Sequence, residues 1–254
     1  MPTKRRVSSV LPDGRHIGLA RALSKSGYCS RAQAFQLIRQ GKVRLNGMVA
    51  KNPEAPVRVG KDRIEVEGQQ LTAADKVYLV LNKPRGIVTT AADEKGRDTV
   101  YSILPSNLPW IAPVGRLDQA SEGLLLFTND SEWASQITDP ASHLDKTYHV
   151  QIGRVADEKL LESLRKGVKV AAGEQLKAKS AKRLRAGEKN SWLEIVLDEG
   201  KNRQIRRMFE ACGTEVLRLI RVAIGPLQLG DLPKAAHRPL RPEEKRVLDA
   251  ALRS

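Results

Sequence analysis

Cysteine and histidine are scarce in this sequence, which limits the metal and redox chemistry that it can support. The two cysteines, Cys29 and Cys212, lie far apart, and neither belongs to a CxxC pair. No metal-ligand spacing connects the four histidines, which are His16, His143, His149 and His237. We therefore expect both cysteines to be reduced and structural, and we expect neither a metal nor a cofactor.

Long apolar runs and glycine-rich phosphate loops are also absent. No segment has the roughly 18 consecutive apolar residues that a membrane span needs. The first residues lack the apolar stretch of a secretory signal, and no loop has the glycine pattern that cradles nucleotide phosphates. These absences predict a cytoplasmic protein that contacts no membrane and binds no nucleoside triphosphate.

Positive charge is what the sequence has in excess. The 44 lysines and arginines outnumber the 29 aspartates and glutamates, which gives a net charge of +15 and a pI near 10.0. Residues 1–75 hold 14 basic and 6 acidic residues, so they carry +8 of that charge. Such an imbalance favours an acidic polymer over a small neutral metabolite as partner, and nucleic acid is the first expectation.

Changes in composition along the chain predict three parts. Residues 1–16 form a basic arm with little apolar content, which either contacts phosphate or is simply solvated. Residues 17–75 form a small first domain, and the sequence turns polar near its end. Residues 76–254 form a larger second domain that opens with an apolar run.

The first domain is predicted to contain two short helices followed by a hairpin. The apolar spacing predicts a helix from Ile17 that stops at Gly27, and Ser30 is a suitable N-cap for a second helix, Arg31 to Gln40. The Asn-Gly pair at residues 46–47 is the strongest short-range hairpin signal in the chain. A further strand is predicted over residues 63–66.

The segments LARALSKSGYC and SRAQAFQLIRQGKVRLNGMVAKNP resemble the S4 RNA-binding domain almost throughout. In that family the second helix and the turn after it present basic residues to structured RNA. The resemblance therefore implies RNA contacts by Lys25, Arg31, Arg39, Lys42 and Arg44. From the sequence alone, each of these side chains is equally consistent with a merely solvated residue.

Strands and helices intermix in the second domain without the regular alternation of a parallel fold. The predicted strands are Val77–Leu81, Leu124–Phe127, Lys146–Ile152 and Trp192–Leu197, and the predicted helices include Glu132–Thr138 and Asp157–Lys166. This mixture favours the α+β class: a small S4-like α/β RNA-binding domain, then a mixed, largely antiparallel sheet flanked by helices.

The segment PVGRLDQASEGLLLFTND, residues 113–130, places one aspartate between a glycine-arginine turn and an apolar strand. Gly115 permits a backbone conformation or a close approach that a Cβ would block. The apolar run that follows predicts a buried strand, which would hold Asp118 at a rigid edge. A carboxylate there needs a cation or water, and Arg116 is the nearest candidate. An aspartate in an isolated Arg-Leu-Asp tripeptide is more often only the cap of a turn. Glu122, four residues after Asp118, suggests an acid/base pair of carboxylates like that of glycosidases. The extended strand that follows disfavours this interpretation.

Taken whole, this segment resembles the signature of the RsuA-type ribosomal RNA pseudouridine synthases. In that family the aspartate of GRLD is the catalytic nucleophile, so the resemblance implies this role for Asp118. It also implies that KPRGIVT, which contains Lys83 and Arg85, lies beside the active site. On composition alone this stretch is a basic turn with both side chains exposed. The family fold, an α+β sheet with a central cleft, agrees with the pattern.

Three arginines in EGKNRQIRRMF accompany an apolar helix face and predict a basic stripe that needs an anion nearby. They are Arg203, Arg206 and Arg207, and an ordinary solvated helix face is the plain alternative. The segment NRQIRRM resembles the family's arginine motif. The resemblance implies that Arg206 pairs with Asp118 and keeps this carboxylate ionised, as a nucleophile requires.

Two further segments resemble family motifs that contact the target base. Tyr148 in KTYHV matches the active-site tyrosine, whose ring stacks on the base, although a core tyrosine would give the same pattern. In VLRLIRVAIGPLQLG the resemblance implies that Leu219 packs under the base and that Arg221 faces the cleft. The alternation there is otherwise that of a plain strand.

These resemblances imply an enzyme that converts one uridine of ribosomal RNA to pseudouridine after flipping the base out of its stack. We expect a monomer that acts on ribosomal RNA or on a ribosomal assembly intermediate. Asp118 attacks C1′, attacks the uracil ring or removes a ribose proton, and Tyr148 is the candidate for proton transfer at the base. The alternatives are a non-catalytic RNA-binding or ribosome-assembly factor, and an enzyme that modifies transfer RNA or another RNA.

Overall fold

The structure, a computed structural model, describes residues 16–58, 60–91 and 93–253. These residues fall into two compact units. The first unit ends at Lys76 and also holds Asn107–Ile111, while the second begins at Val77 and resumes at Ala112. The predicted basic arm lies outside the described residues except for its last residue, His16.

The first unit is a helical pair packed on small antiparallel sheets. Two helices and six strands build it: β1 (His16–Gly18), α1 (Leu19–Lys25), α2 (Arg31–Arg39), β2 (Val43–Leu45), β3 (Met48–Val49), β4 (Pro56–Arg58), β5 (Ile64–Val66) and β6 (Gln69–Gln70). Strands β3, β2, β5 and β6 form one sheet in that spatial sequence, and β1 pairs with β4.

Local sequence explains two of these boundaries. The Ser30 hydroxyl accepts a hydrogen bond from the Gln33 N–H, and the Gln33 side chain accepts one from the Ser30 N–H, so α2 begins with a capping box. Asn46 and Gly47 have φ values of 51° and 84°, as a two-residue hairpin turn requires. The predicted cap and hairpin are therefore confirmed.

The start of the first helix differs from its prediction. Ile17 lies in β1, opposite Val57 of β4, and α1 begins at Leu19. The first residues of the predicted helix therefore form a strand that pairs with β4. The helical spacing of the apolar residues could not reveal this pairing. Leu19 and Leu23 are fully buried and pack with Ile38 of α2 in the core of this unit.

The second unit contains most of the regular structure. Its elements are β7 (Tyr78–Lys83), β8 (Ala112–Val114), β9 (Glu122–Thr128), α3 (Ser131–Thr138), β10 (Lys146–Ile152), α4 (Glu158–Lys166), β11 (Val168–Lys169), β12 (Gln175–Leu176), β13 (Ser180–Ala186), β14 (Ser191–Leu197), α5 (Gln204–Ala211), β15 (Val216–Ile224), β16 (Leu227–Gln228), β17 (His237–Pro239) and α6 (Pro242–Ala251). Over the described ranges, no helix is both long and apolar enough to cross a membrane.

A nine-stranded sheet forms the centre of this unit. Seven of its strands are adjacent in the order β13-β14-β10-β15-β9-β7-β17. In addition, β8 pairs with β9, and β16 pairs with β15. The β15–β9 pair is parallel, and the other strand pairs of this sheet are antiparallel. The predicted fold class, a largely antiparallel mixed sheet flanked by helices, is confirmed.

The helices pack against the sheet and form two separate hydrophobic cores with it. Helices α4 and α5 pack on β10, β14 and β15, and the predicted apolar face of α5, Ile205, Met208 and Phe209, is buried there. Helices α3 and α6 pack on β7 and β9 through Trp133 and Leu248. Burial of each such side chain contributes about 1.5–3 kcal/mol of hydrophobic free energy.

The parallel pair joins two segments that are distant in sequence. Gly123 of β9 lies opposite Arg221 of β15 and has φ of +103°. A Cβ on Gly123 would lie 2.3 Å from the carbonyl oxygen of Arg221, so only glycine permits this approach. The close contact brings the loop before β9 to the edge of β15.

Candidate active site

Asp118 lies in the loop that connects two paired strands. Strands β8 and β9 are antiparallel, with Val114 opposite Leu126, and Gly115 turns the chain out of β8 with φ of +73°. The Ser121 N–H donates to the carbonyl oxygen of Asp118 at 3.0 Å and closes the turn. The Asp118 side chain keeps 29% of its surface exposed, so its carboxylate is accessible although its backbone is fixed.

The segment 83–89, KPRGIVT, holds this loop through its backbone. The Gly86 N–H donates to the carbonyl oxygen of Gln119 at 2.8 Å, and the Gln119 side-chain amide donates to the carbonyl oxygen of Gly86 at 2.9 Å. The Thr89 hydroxyl donates to the carbonyl oxygen of Leu117 at 2.8 Å. The basic turn of the sequence is thus a clamp on the Asp118 loop.

Lys83 is the buried charge inside this clamp. Its side chain is fully buried, and Nζ donates to the carbonyl oxygens of Pro84, Asp118 and Ser121 at 3.1, 3.1 and 2.9 Å. The prediction that Lys83 is exposed is wrong, because three carbonyl oxygens replace the water that an ammonium group otherwise needs. Lys83 therefore binds the backbone of the Asp118 loop and does not line the cleft that contains the Asp118 carboxylate.

Arg203 is the arginine that pairs with Asp118. Its Nη1 lies 3.7 Å from Oδ2 of Asp118. Arg206, the predicted partner, instead donates through Nη2 to the carbonyl oxygen of Ala120 at 3.0 Å and through Nη1 to that of Val216 at 3.2 Å. The predicted pairing is therefore wrong in this structure, because backbone carbonyls engage the Arg206 guanidinium while Arg203, just before α5, reaches the carboxylate.

Arg206 interacts electrostatically with Asp118 and with two further arginines. Burial lowers the pKa of Arg206, repulsion from Arg203 and Arg85 acts in the same direction, and Asp118 opposes them. The Arg206 Nε is buried and has no hydrogen-bond partner among the described residues. The surroundings of Asp118 are therefore net cationic and can accept a further anion such as a phosphate.

Arg207 has a different partner from its neighbours. Its Nη2 donates to the Glu174 carboxylate at 2.6 Å, and Arg207 does not line the cleft. The prediction of one arginine stripe is wrong, because Arg203 precedes α5 in the left-handed conformation, with φ of +49°, and does not continue the helix face of Arg206 and Arg207. An RNA contact by Arg207 would require this ion pair to open.

A cleft of about 560 Å³ opens beside Asp118, within the size range of ligand-binding sites. Besides Asp118, five residues predicted for the site line it: Arg116, Tyr148, Arg203, Leu219 and Arg221. A smaller depression of about 300 Å³ also borders Asp118 and is lined by Arg85. The fold thus gathers residues from four distant segments around one carboxylate.

The cleft wall has an apolar part formed by two neighbouring strands. Tyr148 of β10 lies opposite Arg221 of β15, next to an irregularity in the strand pairing. Tyr148 is half-buried, and Leu219 is 7% exposed. No described residue forms a hydrogen bond with the Tyr148 hydroxyl. An aromatic ring and a leucine on one wall provide a surface on which a planar base can pack.

Lys146 is a cleft residue that the sequence analysis did not assign to the site. It is half-buried and lies two residues before Tyr148 on β10. Alternate residues of a strand share a face, so the position of Lys146 relative to Tyr148 was the available signal. Nothing in the local sequence distinguished it from a solvated lysine at a strand end.

Glu122 does not form an acid/base pair with Asp118. It is buried outside the cleft, and its carboxylate lies 3.1 Å from Arg218 Nε and 3.1 Å from Lys234 Nζ. Burial alone would raise the pKa of Glu122, but the hydrogen bonds to these two cations lower it. Glu122 is therefore a paired structural carboxylate.

The basic residues predicted for RNA contact in the first unit differ in their surroundings. Arg31 and Arg39 are exposed on α2, and Arg44 Nη1 lies 3.4 Å from the carbonyl oxygen of Gly47. Lys42 pairs with Glu67 at 2.8 Å, and Lys25 is half-buried at the end of α1. Their RNA contacts stay a prediction.

The cysteines and acidic residues give no sign of a metal centre. Within residues 16–58, 60–91 and 93–253, no group of three or more histidine, cysteine, aspartate or glutamate side chains is placed to hold a metal ion. Cys29 and Cys212 form no disulfide, and burial raises the pKa of the Cys29 thiol to about 11. Such a thiol is a poor nucleophile at neutral pH.

Comparison with known families assigns both parts of the chain. Residues 77–211 match the RNA pseudouridylate synthase family. Residues 17–64 match the S4 domain family. The first match contains Asp118, Tyr148 and α5, and the second contains α1, α2 and the Asn-Gly hairpin.

Individual relatives are similar over nearly the whole chain. Ribosomal large subunit pseudouridine synthase B of Bacillus subtilis (strain 168) is 39% identical over 91% of this chain and 95% of its own length. An uncharacterized RNA pseudouridine synthase of Aquifex aeolicus (strain VF5) is 36% identical over 86% and 88%. A crystal structure of a pseudouridylate synthase superposes with a TM-score of 0.63 at 32% identity, covering 91% of this chain and 99% of that one.

Proposed function

The chain belongs to the RNA pseudouridine synthase family, and we propose that it acts on ribosomal RNA with Asp118 as the nucleophile. The ribosomal substrate is supported by the S4 domain and by the Bacillus subtilis relative, which is named for the ribosomal large subunit. The observation that carries the role of Asp118 is its place in the cleft, with its loop clamped by Lys83 and its carboxylate beside Arg203.

The surroundings of Asp118 suit a carboxylate that must stay ionised and react. Arg203 lies 3.7 Å away and is half-exposed, so its attraction is weakened by solvent but is still present when a substrate excludes water. The loop backbone is held by the clamp, which fixes where the carboxylate lies. A rigid, ionised oxygen nucleophile lowers the cost of bringing reactants together.

The cleft also accounts for how a uridine would reach Asp118. A base inside an RNA stack is inaccessible, so the target nucleotide must be extruded at a cost of a few kcal/mol. Stacking of the uracil on Tyr148 and packing on Leu219 would offset this, since aromatic stacking is worth about 1–3 kcal/mol per base. Arg85, Arg116 and Arg203 border the same region and would contact the phosphates.

Proton transfer at the base needs a second group. Pseudouridine formation replaces the C5–H bond of uracil by a C5–C1′ bond, so the C5 proton must leave. Tyr148 lines the cleft, and its hydroxyl has no hydrogen-bond partner among the described residues. We assign the removal of this proton to Tyr148.

Tritium release tests this function directly. Large-subunit ribosomal RNA transcribed with uridine tritiated at C5 should release tritium to water when incubated with the protein, because C5 exchanges its hydrogen for the sugar carbon. Small-subunit ribosomal RNA and transfer RNA transcripts, labelled in the same way, serve as comparisons. Release from transfer RNA but from neither ribosomal RNA would contradict the proposed substrate class.

The buried lysine behind the active site predicts a pH dependence. Burial lowers the pKa of Lys83 to about 8, while the carboxylates of Asp118 and Glu122 oppose this shift. Above that pH the amine is neutral and has two N–H donors for three carbonyl oxygens. The turnover rate should therefore be constant below about pH 8 and fall about tenfold above it as the Asp118 loop loosens.

The Lys83→Met variant is the comparison for this prediction. It lacks the titrating group and should be about tenfold to 100-fold slower than wild type at pH 7, with no inflection near pH 8. Any decline that remains in the variant reports ionisation of the RNA. Parallel pH profiles of variant and wild type would show that Lys83 does not set the position of Asp118.

A further inference from the structure

Arg221 has hydrogen-bonding capacity that the protein itself does not use. It is 6% exposed and lines the cleft that contains Asp118. Its Nε donates to the carbonyl oxygen of Leu124 at 2.8 Å, which anchors the guanidinium on β9. Neither Nη group has a hydrogen-bond partner among the described residues, and Nη2 is buried as well.

An unsatisfied buried donor is a cost to the fold. A buried polar group without a partner is destabilising by about 1–3 kcal/mol, and more when the group is charged. Few such groups exist in folded proteins, and a catalytic role, a bound ion or an ordered water accounts for many of them. The position of Arg221 on the cleft wall makes a substrate atom the natural acceptor.

Lys146 places a second unpaired cation on the same wall. It is half-buried, and no acidic side chain of the described ranges lies within ion-pair distance of its Nζ. Asp145, its sequence neighbour, is bound instead by Lys179, whose Nζ lies 2.8 Å from each carboxylate oxygen. Burial lowers the pKa of Lys146, the charge of Arg221 acts in the same direction, and Asp145 and Asp198 oppose them. Lys146 lies two residues before Tyr148, the residue opposite Arg221, and both cations line the same cleft.

We propose that Arg221 and Lys146 bind a carbonyl oxygen of the extruded uracil and stabilise the negative charge that the ring acquires when it separates from ribose. This inference rests on the proposed function, because it concerns the leaving group of that reaction. It assigns the two cations to the uracil and leaves Asp118 and Arg203 to the sugar side of the reaction.

The charge follows from the bonds that break and form. When an Asp118 oxygen bonds to C1′, the C1′–N1 bond breaks and its electron pair stays on N1, from which it spreads to the two carbonyl oxygens. After rotation of the ring, C5 attacks C1′ and the carboxylate leaves. C5 then loses its proton and N1 gains one. If Asp118 instead removes the 2′ proton, uracil leaves as the same anion, so the need for cations is common to both routes.

Fluorine at C5 provides a test that separates this role from a structural one. Fluorine withdraws electrons and makes uracil a better leaving group that depends less on external cations. The substrates are two synthetic RNAs spanning the uridine that wild type modifies, with uridine or 5-fluorouridine at that position. The readout is loss of the intact nucleoside under single-turnover conditions.

Both variants should show a substrate-dependent loss. Lys146→Met and Arg221→Lys should each slow uridine cleavage about 100-fold, as the removal of one charge-stabilising donor does elsewhere. On 5-fluorouridine the loss should be at least about tenfold smaller. RNA affinity and thermal unfolding should stay near wild type for Lys146→Met, which keeps the test valid if Arg221→Lys folds poorly.

A control variant and two different negative results complete this test. Arg183→Lys on β13 removes a guanidinium that donates to the Ala156 carbonyl oxygen, outside the cleft, and it should leave both rates unchanged. If the variants lose the same factor in rate on uridine and on 5-fluorouridine, the leaving-group role is overturned. Turnover by the wild type in the same experiment would still support the proposed function. Absence of wild-type turnover on every ribosomal RNA would instead overturn the proposed function itself.

Discussion

Substituting asparagine for Asp118 should reduce pseudouridine formation by at least about 10³-fold. Asparagine has nearly the same size but carries no charge and is a poor nucleophile, so the bond to the sugar cannot form at a useful rate. The loop should keep its conformation, because Lys83 and Ser121 bind the backbone carbonyl of residue 118 and not its side chain. RNA affinity should therefore stay within about twofold of wild type.

Tritium release and filter binding, measured on the same preparations, check both parts of this expectation. Asp231→Asn is a matched control, because Asp231 is exposed and lies outside the cleft lining. This control should retain full turnover. Turnover by Asp118→Asn at more than a tenth of the wild-type rate would transfer the nucleophilic role to another group. A large loss of affinity would indicate that the substitution disturbs the cleft.

Removing charge from the first unit should weaken RNA binding about 100-fold at physiological salt. The triple variant Arg31→Gln, Arg39→Gln and Arg44→Gln removes three exposed cations from α2 and the hairpin. Each phosphate contact releases about 0.7–0.9 of a counterion, so the slope of log affinity against log salt should fall by about two to three. Turnover at saturating RNA should change little, since these residues lie outside the catalytic unit.

Affinity measured from about 50 to 300 mM salt determines this slope. Arg58→Gln is the comparison within the same unit, because Arg58 already pairs with Asp62 at 3.0 Å. It should change the slope by much less than one contact. An unaltered salt slope in the triple variant would mean that these arginines are solvated in the complex and that other surfaces bind the RNA.

The two experiments separate chemistry from recognition. Asp118→Asn is expected to change the rate with intact binding, and the arginine substitutions are expected to change binding with an intact rate. This division follows from the two units, each of which has its own core. The buried positions of those cores are unaltered in either variant, so neither effect should arise from global unfolding.

Several features were predictable because their causes are local. Strand β10 has the predicted bounds, Lys146–Ile152, since alternation of side chains acts within a few residues. The capping box at Ser30 and the Asn-Gly hairpin depend on neighbouring atoms in the same way. The helix boundary at Ile17 was missed because a strand far along the chain pairs there.

The assignment of partners to charged residues required the tertiary structure. Lys83 binds carbonyl oxygens 35 and 38 residues away, which turns an apparently exposed lysine into a buried support. Glu122 meets Arg218, 96 residues away. These pairings depend on the neighbours that the sheet topology supplies, and no local pattern contains that information.

The sequence by itself determined the fold class and predicted the three parts of the chain, because side-chain periodicity and composition act over neighbouring residues. The resemblance of one short segment to a known family implied the candidate nucleophile. Only the tertiary structure decided that Arg203 and not Arg206 pairs with Asp118, and that Arg221 and Lys146 share one wall of the cleft. The strength of a charge interaction depends on the distance and burial of its partners. Both quantities are set by the packing of strands and helices that are remote in sequence.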